Sequence, residues 1–256
     1  MTTSTLDEVA QATKRNILIV TSSVAYAVDA IEKDAAPTFQ LGTVVRMGLA
    51  DEDVKDPSVI ALMRWEYRAW VIGHALADIS ESISTFLNQI VEENSTALGC
   101  KEKYEKFERL GLNLKLKALP SIALDEDFHN AIECVTLARN CLIHRHGIVG
   151  AQDCNVGNEL VLTWRGIQIS KVLESVLMEL DHSHRGPATS QPGDIVKFEV
   201  TGIERRFSLG ARLDLEPNDL CTLSWCIGGI TDAIHQKAKD AIQGSGAAIS
   251  QETPRK

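Results

Sequence analysis

The sequence is poor in cations and in aromatic side chains: 26 Lys and Arg stand against 35 Asp and Glu, giving a formal net charge of −9, and aromatics make up 5% of the 256 residues. Phosphate binding normally draws on an excess of Lys and Arg, so this balance argues against a broad electrostatic footprint on nucleic acid and leaves room only for a small local basic site. Long apolar runs are missing too. The longest, Ile17 to Val28, is interrupted by Thr21, Ser22 and Ser23 and is too short and polar to span a bilayer. The N-terminus, Met-Thr-Thr-Ser-Thr-Leu-Asp-Glu, has neither the positive region nor the apolar core of a secretory signal, so the chain reads as cytoplasmic, with no membrane partner. The six cysteines contain no C-x-x-C pair, which excludes a disulfide scaffold and a zinc framework and leaves reduced, mostly buried thiols. His182 and His184 lack the carboxylate or thiolate neighbours that would make them a metal site. No Walker loop, no G-x-G-x-x-G, no G-x-S-x-G elbow and no internal repeat occurs.

What is present is helical periodicity under an ordinary globular composition, 44% hydrophobic and 24% charged. The pattern predicts polar flexible tails at 1–12 and 244–256, a helix over 14–33, and a connector over 38–56 carrying Asp51, Glu52 and Asp53. A long helix follows from Pro57 to about Asn94, with Asp56 as N-cap and Pro57 at the first position. Residues 101–119 read as an exposed, charged helix running into a connector with Lys115 and Lys117. Asp125, Glu126 and Asp127 suit the positive end of a further helix, which ends at Gly147. Beyond it, 159–164 and 195–208 read as an antiparallel β element, 167–180 as a helix, 182–193 as a loop and 219–243 as a closing helix. The fold expected is mainly α: a helical bundle over 13–150 with a C-terminal extension over 151–243 that carries a small antiparallel β element and a closing helix.

Chemistry concentrates in Arg139-Asn140-Cys141-Leu142-Ile143-His144, with Arg145 and His146 directly after it. Asn140 and His144 stand at i and i+4, so the amide can orient the imidazole. Arg139 lies roughly 140° around a regular helix from His144, so one straight helix cannot aim both at one atom, whereas a bent last turn or a second copy can. This string, late in a helix of an all-α bundle and followed by Gly147, resembles the Arg-x4-His motif of the HEPN superfamily in the form seen in proteins associated with prokaryotic defence; the likeness covers residues 57–149. The resemblance implies a helical bundle that dimerises and pairs two motifs in a cleft. It also implies, for many members, a metal-independent endoribonuclease needing no cofactor, with RNA as substrate and a protein regulator as a further partner. On that reading His144 is the acid–base residue, Arg139 the phosphate ligand, Asn140 the orienter, and Arg145 and His146 contact substrate. The chemistry is coherent, since cleavage without metal needs a base for the 2′-hydroxyl, an acid for the leaving 5′-oxygen and a cation for the phosphorane.

The rival expectation is a non-catalytic module that holds a protein or a nucleotide, toward which the charge of −9 leans. Arg68 and His74 also satisfy a loose Arg-x5-His pattern, but the residue after Arg68 is Ala69, so they read as an ion-pair residue and a core or seam histidine. Glu66, Asp78 and Glu81 are candidate anchors for Arg139 that more simply read as solvated charges, Trp65 and Trp70 as packing residues, and Arg205 and Arg206 as strand-face charges.

Overall fold

The computed structural model describes residues 3–32, 39–41, 45–47, 56–173, 176–179 and 195–251, with side chains over 5–30, 56–167 and 198–245. The 51–53 acidic segment and the 182–193 loop with its two histidines lie outside the described residues.

Helix α1, Thr3–Glu32, buries Leu6, Ala10, Thr13, Ile17, Val24 and Val28, a stripe at helical spacing. It begins some ten residues earlier than the sequence predicts, so residues 3–12 are no tail. Their anchor is the other end of the chain: Asp7 accepts from His235 at 2.7 Å and from Lys239 at 3.3 Å, Lys14 pairs with Asp232 at 2.7 Å, and Thr21 donates to Ser224 at 2.7 Å. Rising positions on α1 meet falling positions on the closing helix α6, Pro217–Gln251, so the two run antiparallel. That closing helix likewise continues past the predicted end at residue 243.

Between α1 and the long helix α2 lie two short strands, β1 (Phe39–Leu41) and β2 (Val45–Met47), paired antiparallel. Helix α2, Pro57–Asn94, has the predicted bounds and cap, with the Asp56 carboxylate accepting from the Ser58 N–H at 2.9 Å and Pro57 at N1, where its missing donor costs nothing. Its 38 residues span about 57 Å. The second half is core on one face, with Leu76, Ile83, Phe86, Leu87 and Ile90 fully buried, each burial contributing about 1.5–3 kcal/mol.

The charged stretch after residue 100 forms two short helices, α3 (Tyr104–Glu108) and α4 (Leu112–Lys117), broken at Gly111. Phe107, Leu112 and Leu116 turn inward. Lys115 goes with them: it is 1% exposed, its ammonium donates to Ser84 Oγ at 2.6 Å and Asn88 Oδ1 at 2.7 Å, and it lies over the Phe107 ring. Loss of water holds its pKa below the ordinary lysine value, against the opposing pull of Glu81 and Glu108.

Helix α5, Glu126–His144, starts at Asp125, whose carboxylate accepts from the Phe128 N–H at 2.9 Å. The β element follows as β3 (Glu159–Leu173), β4 (Val176–Glu179) and β5 (Ile195–Ser208), in the order β4-β3-β5, all pairs antiparallel. The helix predicted over 167–180 is therefore wrong. Leu173 pairs with Val176 and Ser170 with Glu179 in a hairpin, and Ile167 sits opposite Val200. Apolar residues at 169, 172, 173, 176 and 177 match a helical stripe, but β-branched Ile and Val also suit a ladder, and long-range pairing with β5 decides.

One buried core runs without a break from Leu6 through α2 and α5 to Trp164 on β3 and Ala238 on α6. The fold is mainly α with a small antiparallel β element, as expected from the sequence. Among the described residues, no helix is long and apolar enough to cross a membrane.

Candidate functional site

The end of α5 is pressed closely against α2. Gly73 makes this possible, since a Cβ there would stand 3.0 Å from Leu142 Cβ and 3.1 Å from Ile143 Cγ1. The helix stays α-helical through His144 and then stops abruptly. Arg145 leaves the helical region (φ −128°, ψ 17°), and His146 and Gly147 both take positive φ, 52° and 74°. The Gly147 N–H turns back to the Cys141 carbonyl at 3.1 Å, and Trp65 crowds its α-carbon so closely that a side chain there would meet the indole at 3.2 Å. The sequence-predicted stop at Gly147 thus corresponds to a left-handed pair of residues locked over an indole.

The five motif residues divide by what they touch. Arg139 Nη1 donates to Asn140 Oδ1 at 2.9 Å, and both side chains are half-buried. Asn140 therefore supports the arginine, whereas the i,i+4 spacing had assigned it to His144. His144 and His146 are exposed. Because α5 remains regular across residues 139–144, Arg139 and His144 diverge around the axis, and no bent turn brings them together within one chain.

Arg145, expected to contact substrate, is taken up by the fold. Its Nε and Nη2 form a two-pronged ion pair with Asp153, whose side chain is 1% exposed and whose Oδ2 also accepts from the Gly150 N–H at 2.8 Å. A side chain at Gly150 would press on the arginine, since its Cβ would lie 3.0 Å from Arg145 Cδ. The guanidinium is thus a clamp between the end of α5 and the loop that leads to β3. Asp153 carried no signal in the sequence: it stands alone in a turn, eight positions beyond its partner.

The other candidates separate from the motif. Arg68 Nη2 donates to the Leu215 carbonyl at 2.6 Å and pairs with Asp214 and Glu216 at 3.5 and 3.4 Å, tying α2 to the segment before α6. His74 is exposed rather than in the core; its ring lies tilted against Trp70 at 4.3 Å between ring centroids, and its Nδ1 stands 2.9 Å from the Trp70 carbonyl. Trp70 is exposed as well, while Trp65 carries Arg212 over its ring at 4.5 Å. Asp78 and Glu81 line a groove against α1 with Thr13 and Asn16, and Glu66 is exposed on α2; none of the three pairs with Arg139. Arg205 holds buried Asp219 at 2.7 Å, and Arg206 pairs with Glu159 and Glu204.

Three buried thiols are structural. Cys134 on α5 faces the outer edge of β3, accepting from the Thr163 N–H at 2.8 Å and donating to the Thr163 carbonyl at 3.1 Å, and burial pushes its pKa up to about 12. Burial likewise raises Cys141 to about 11 and lifts Cys226. Among the described residues, no group of three or more His, Cys, Asp or Glu is placed to hold a metal ion.

Comparison of the chain with protein-family models, with curated proteins and with solved structures found no match.

Proposed function

We propose that the chain is a HEPN-like, metal-independent endoribonuclease in which His144 is the acid–base residue and Arg139 the phosphate ligand, contributed by two copies to one cleft. The observation that supports this reading best is the exposure of His144 at a helix end, one turn beyond an arginine whose guanidinium is steadied by Asn140. In the reaction one imidazole takes the proton of the 2′-hydroxyl, whose oxygen attacks the adjacent phosphorus. The bond to the 5′-oxygen breaks, and a second, protonated imidazole supplies that oxygen with a proton, leaving a 2′,3′-cyclic phosphate. Arg139 stabilises the charge gathered on the phosphorus oxygens through paired N–H donors. On this reading, with α5 regular across 139–144, the arginine and the imidazole serving one phosphate come from different copies.

The second reading, a non-catalytic module holding a protein or nucleotide, is favoured by the net charge of −9 and by the commitment of Arg145 to Asp153, which removes one cation from the neighbourhood of His144. One experiment separates the two. Purified chain is incubated with end-labelled RNA in chelator, alongside His144→Ala and Arg139→Ala. The nuclease reading expects cyclic-phosphate products from the native chain and a loss of at least 100-fold in either variant, with unchanged melting for His144→Ala. Intact RNA with the native chain, or full activity in His144→Ala, overturns it.

A further inference from the structure

Backbone polarity in the β element shows which edges are closed. The N–H and C=O of Thr163 point at Cys134, and those of Val161 are both taken by the Asn155 side chain, at 2.8 and 2.9 Å. Odd-numbered residues of β3 therefore turn their backbone groups away from β5. Their cross-strand partners do the same in the opposite sense, because residues facing each other in a non-hydrogen-bonded antiparallel pair both point outward. Those partners are Val200, Gly202, Glu204 and Arg206.

The outer edge of β5 thus offers a row of N–H and C=O groups, and no other strand pairs with it among the described residues. The Glu204 carbonyl has a partner, Arg205 Nη1 at 3.2 Å. Phe198 and Val200, 66% and 60% exposed, stand on one face of this edge together with Gly202, where an added side chain would meet nothing within 4 Å. The strand contains no proline to close it. Its charges change sign along its length instead.

We infer that β5 is a self-association edge: a second copy of the chain pairs with it antiparallel, with the two-fold axis at Gly202, joining two three-stranded sheets into one of six strands. Outward-facing residues must meet outward-facing residues, which restricts the register to those centred on a residue. Centring on Thr201 sets Arg205 opposite Lys197 of the second copy, two like charges. Centring on Ile203 sets Glu199 opposite Phe207. Centring on Gly202 sets Glu199 opposite Arg205 and Phe198 opposite Arg206, each pair occurring twice by symmetry. Arg205 keeps Asp219 at its back and remains 43% exposed, open to a second carboxylate. Both exposed apolar side chains then lie beside the added strand, and Gly202 lets the strands meet without a side chain at the axis.

The edge adjoins the Asp127 end of α5, since Asp127 and Asn130 share a cavity of about 400 Å³ with Val200, Gly202 and Glu204. His144 lies about 26 Å further along that helix. This association is consequently independent of the pairing that the nuclease reading requires.

Sedimentation velocity of the full chain over a concentration series tests it, with Gly202→Pro as the disrupting variant: proline at an outward-facing edge position removes only a donor that points to solvent in the monomer. The expected result is a concentration-dependent doubling of mass for the native chain that Gly202→Pro lacks, with unaltered circular dichroism; a pairing through the His144 end of α5 would persist in both. In a Cys221→Ser background, Gly202→Cys should cross-link on mild oxidation, because directly opposed residues lie about 5.5 Å apart between α-carbons. Phe198→Cys should not, and this comparison decides if the proline variant fails to fold. A native chain monomeric throughout, an assembly of the same mass for the native chain and a correctly folded Gly202→Pro, or cross-linking at 198 in place of 202 overturns the inference.

Discussion

The clamp between Arg145 and Asp153 gives a prediction that separates a folding role from a catalytic one. Asp153 is 1% exposed, and among the described residues its only donor besides Arg145 is the Gly150 N–H. In Arg145→Ala the carboxylate keeps that single hydrogen bond and stays out of water, and stranding a buried charge in this way typically costs about 3–5 kcal/mol. Arg145 itself is 22% exposed, so solvent softens the loss and about 2–4 kcal/mol is the expected range. The reverse deletion is milder. In Asp153→Ala the guanidinium can swing into solvent on its flexible stem, and about 1–2 kcal/mol is expected from the lost hydrogen bonds. Urea melts followed by circular dichroism measure both, and for a chain of this size Arg145→Ala should lower Tm by roughly 5–15 °C. Refutation would be a cost for Arg145→Ala below about 1 kcal/mol, or a larger cost for Asp153→Ala than for Arg145→Ala. His144→Ala, at an exposed position, should leave the melt unchanged.

Three further outcomes are expected. Lys115→Met exchanges a buried ammonium for an apolar chain of similar length; because burial depresses its pKa in the fold, the native chain gains stability as pH rises from the folded value toward the unfolded value near 10.4, and comparative melts between pH 7 and 10 should show that rise vanish in the variant. Gly73→Leu should cost about 3 kcal/mol or more by forcing α5 off α2, read as a loss of denaturation midpoint, whereas the same change at Gly111, where an added Cβ meets nothing, should cost about 1 kcal/mol or less. Hydrogen bonding from His235 holds the Asp7 carboxyl below its ordinary value, so this contact stabilises the fold above about pH 4 and is lost on acidification through the folded pKa; Asp7→Asn should accordingly weaken the protein at pH 6, and the difference from the native chain should shrink as pH falls below the ordinary carboxylate value.

Local signals were legible and distant ones were not. The bounds of α2 follow from Asp56-Pro57 and unbroken periodicity, and the start of α5 from Asp125, because caps are short-range chemistry. The start of α1 was hidden: Thr3 to Asp7 carry one apolar residue, and what orders them is Asp7 meeting His235 from the far end of the chain. Lys115 looked like part of a solvated charge run, since nothing local says that Ser84 and Asn88 wait on another helix. In the candidate site the identity of the charged residues could be read, yet their division of labour could not. Arg145 differs from Arg139 only through Asp153, and Asn140 chose the neighbouring arginine over the imidazole one turn on.

The antiparallel seating of the first helix against the last sets an order of events during synthesis. A ribosome releases the chain from its N-terminus, so α1 emerges while its partners His235 and Lys239 are still unmade. The side of α1 that meets α6 must wait until residues 224–239 have been made. Until then Asp7, Lys14 and Thr21 lack the partners that α6 provides. Nascent chains stalled before residue 217 should therefore remain protease-sensitive in α1 and recruit holdase chaperones, and protection should arrive once α6 has emerged.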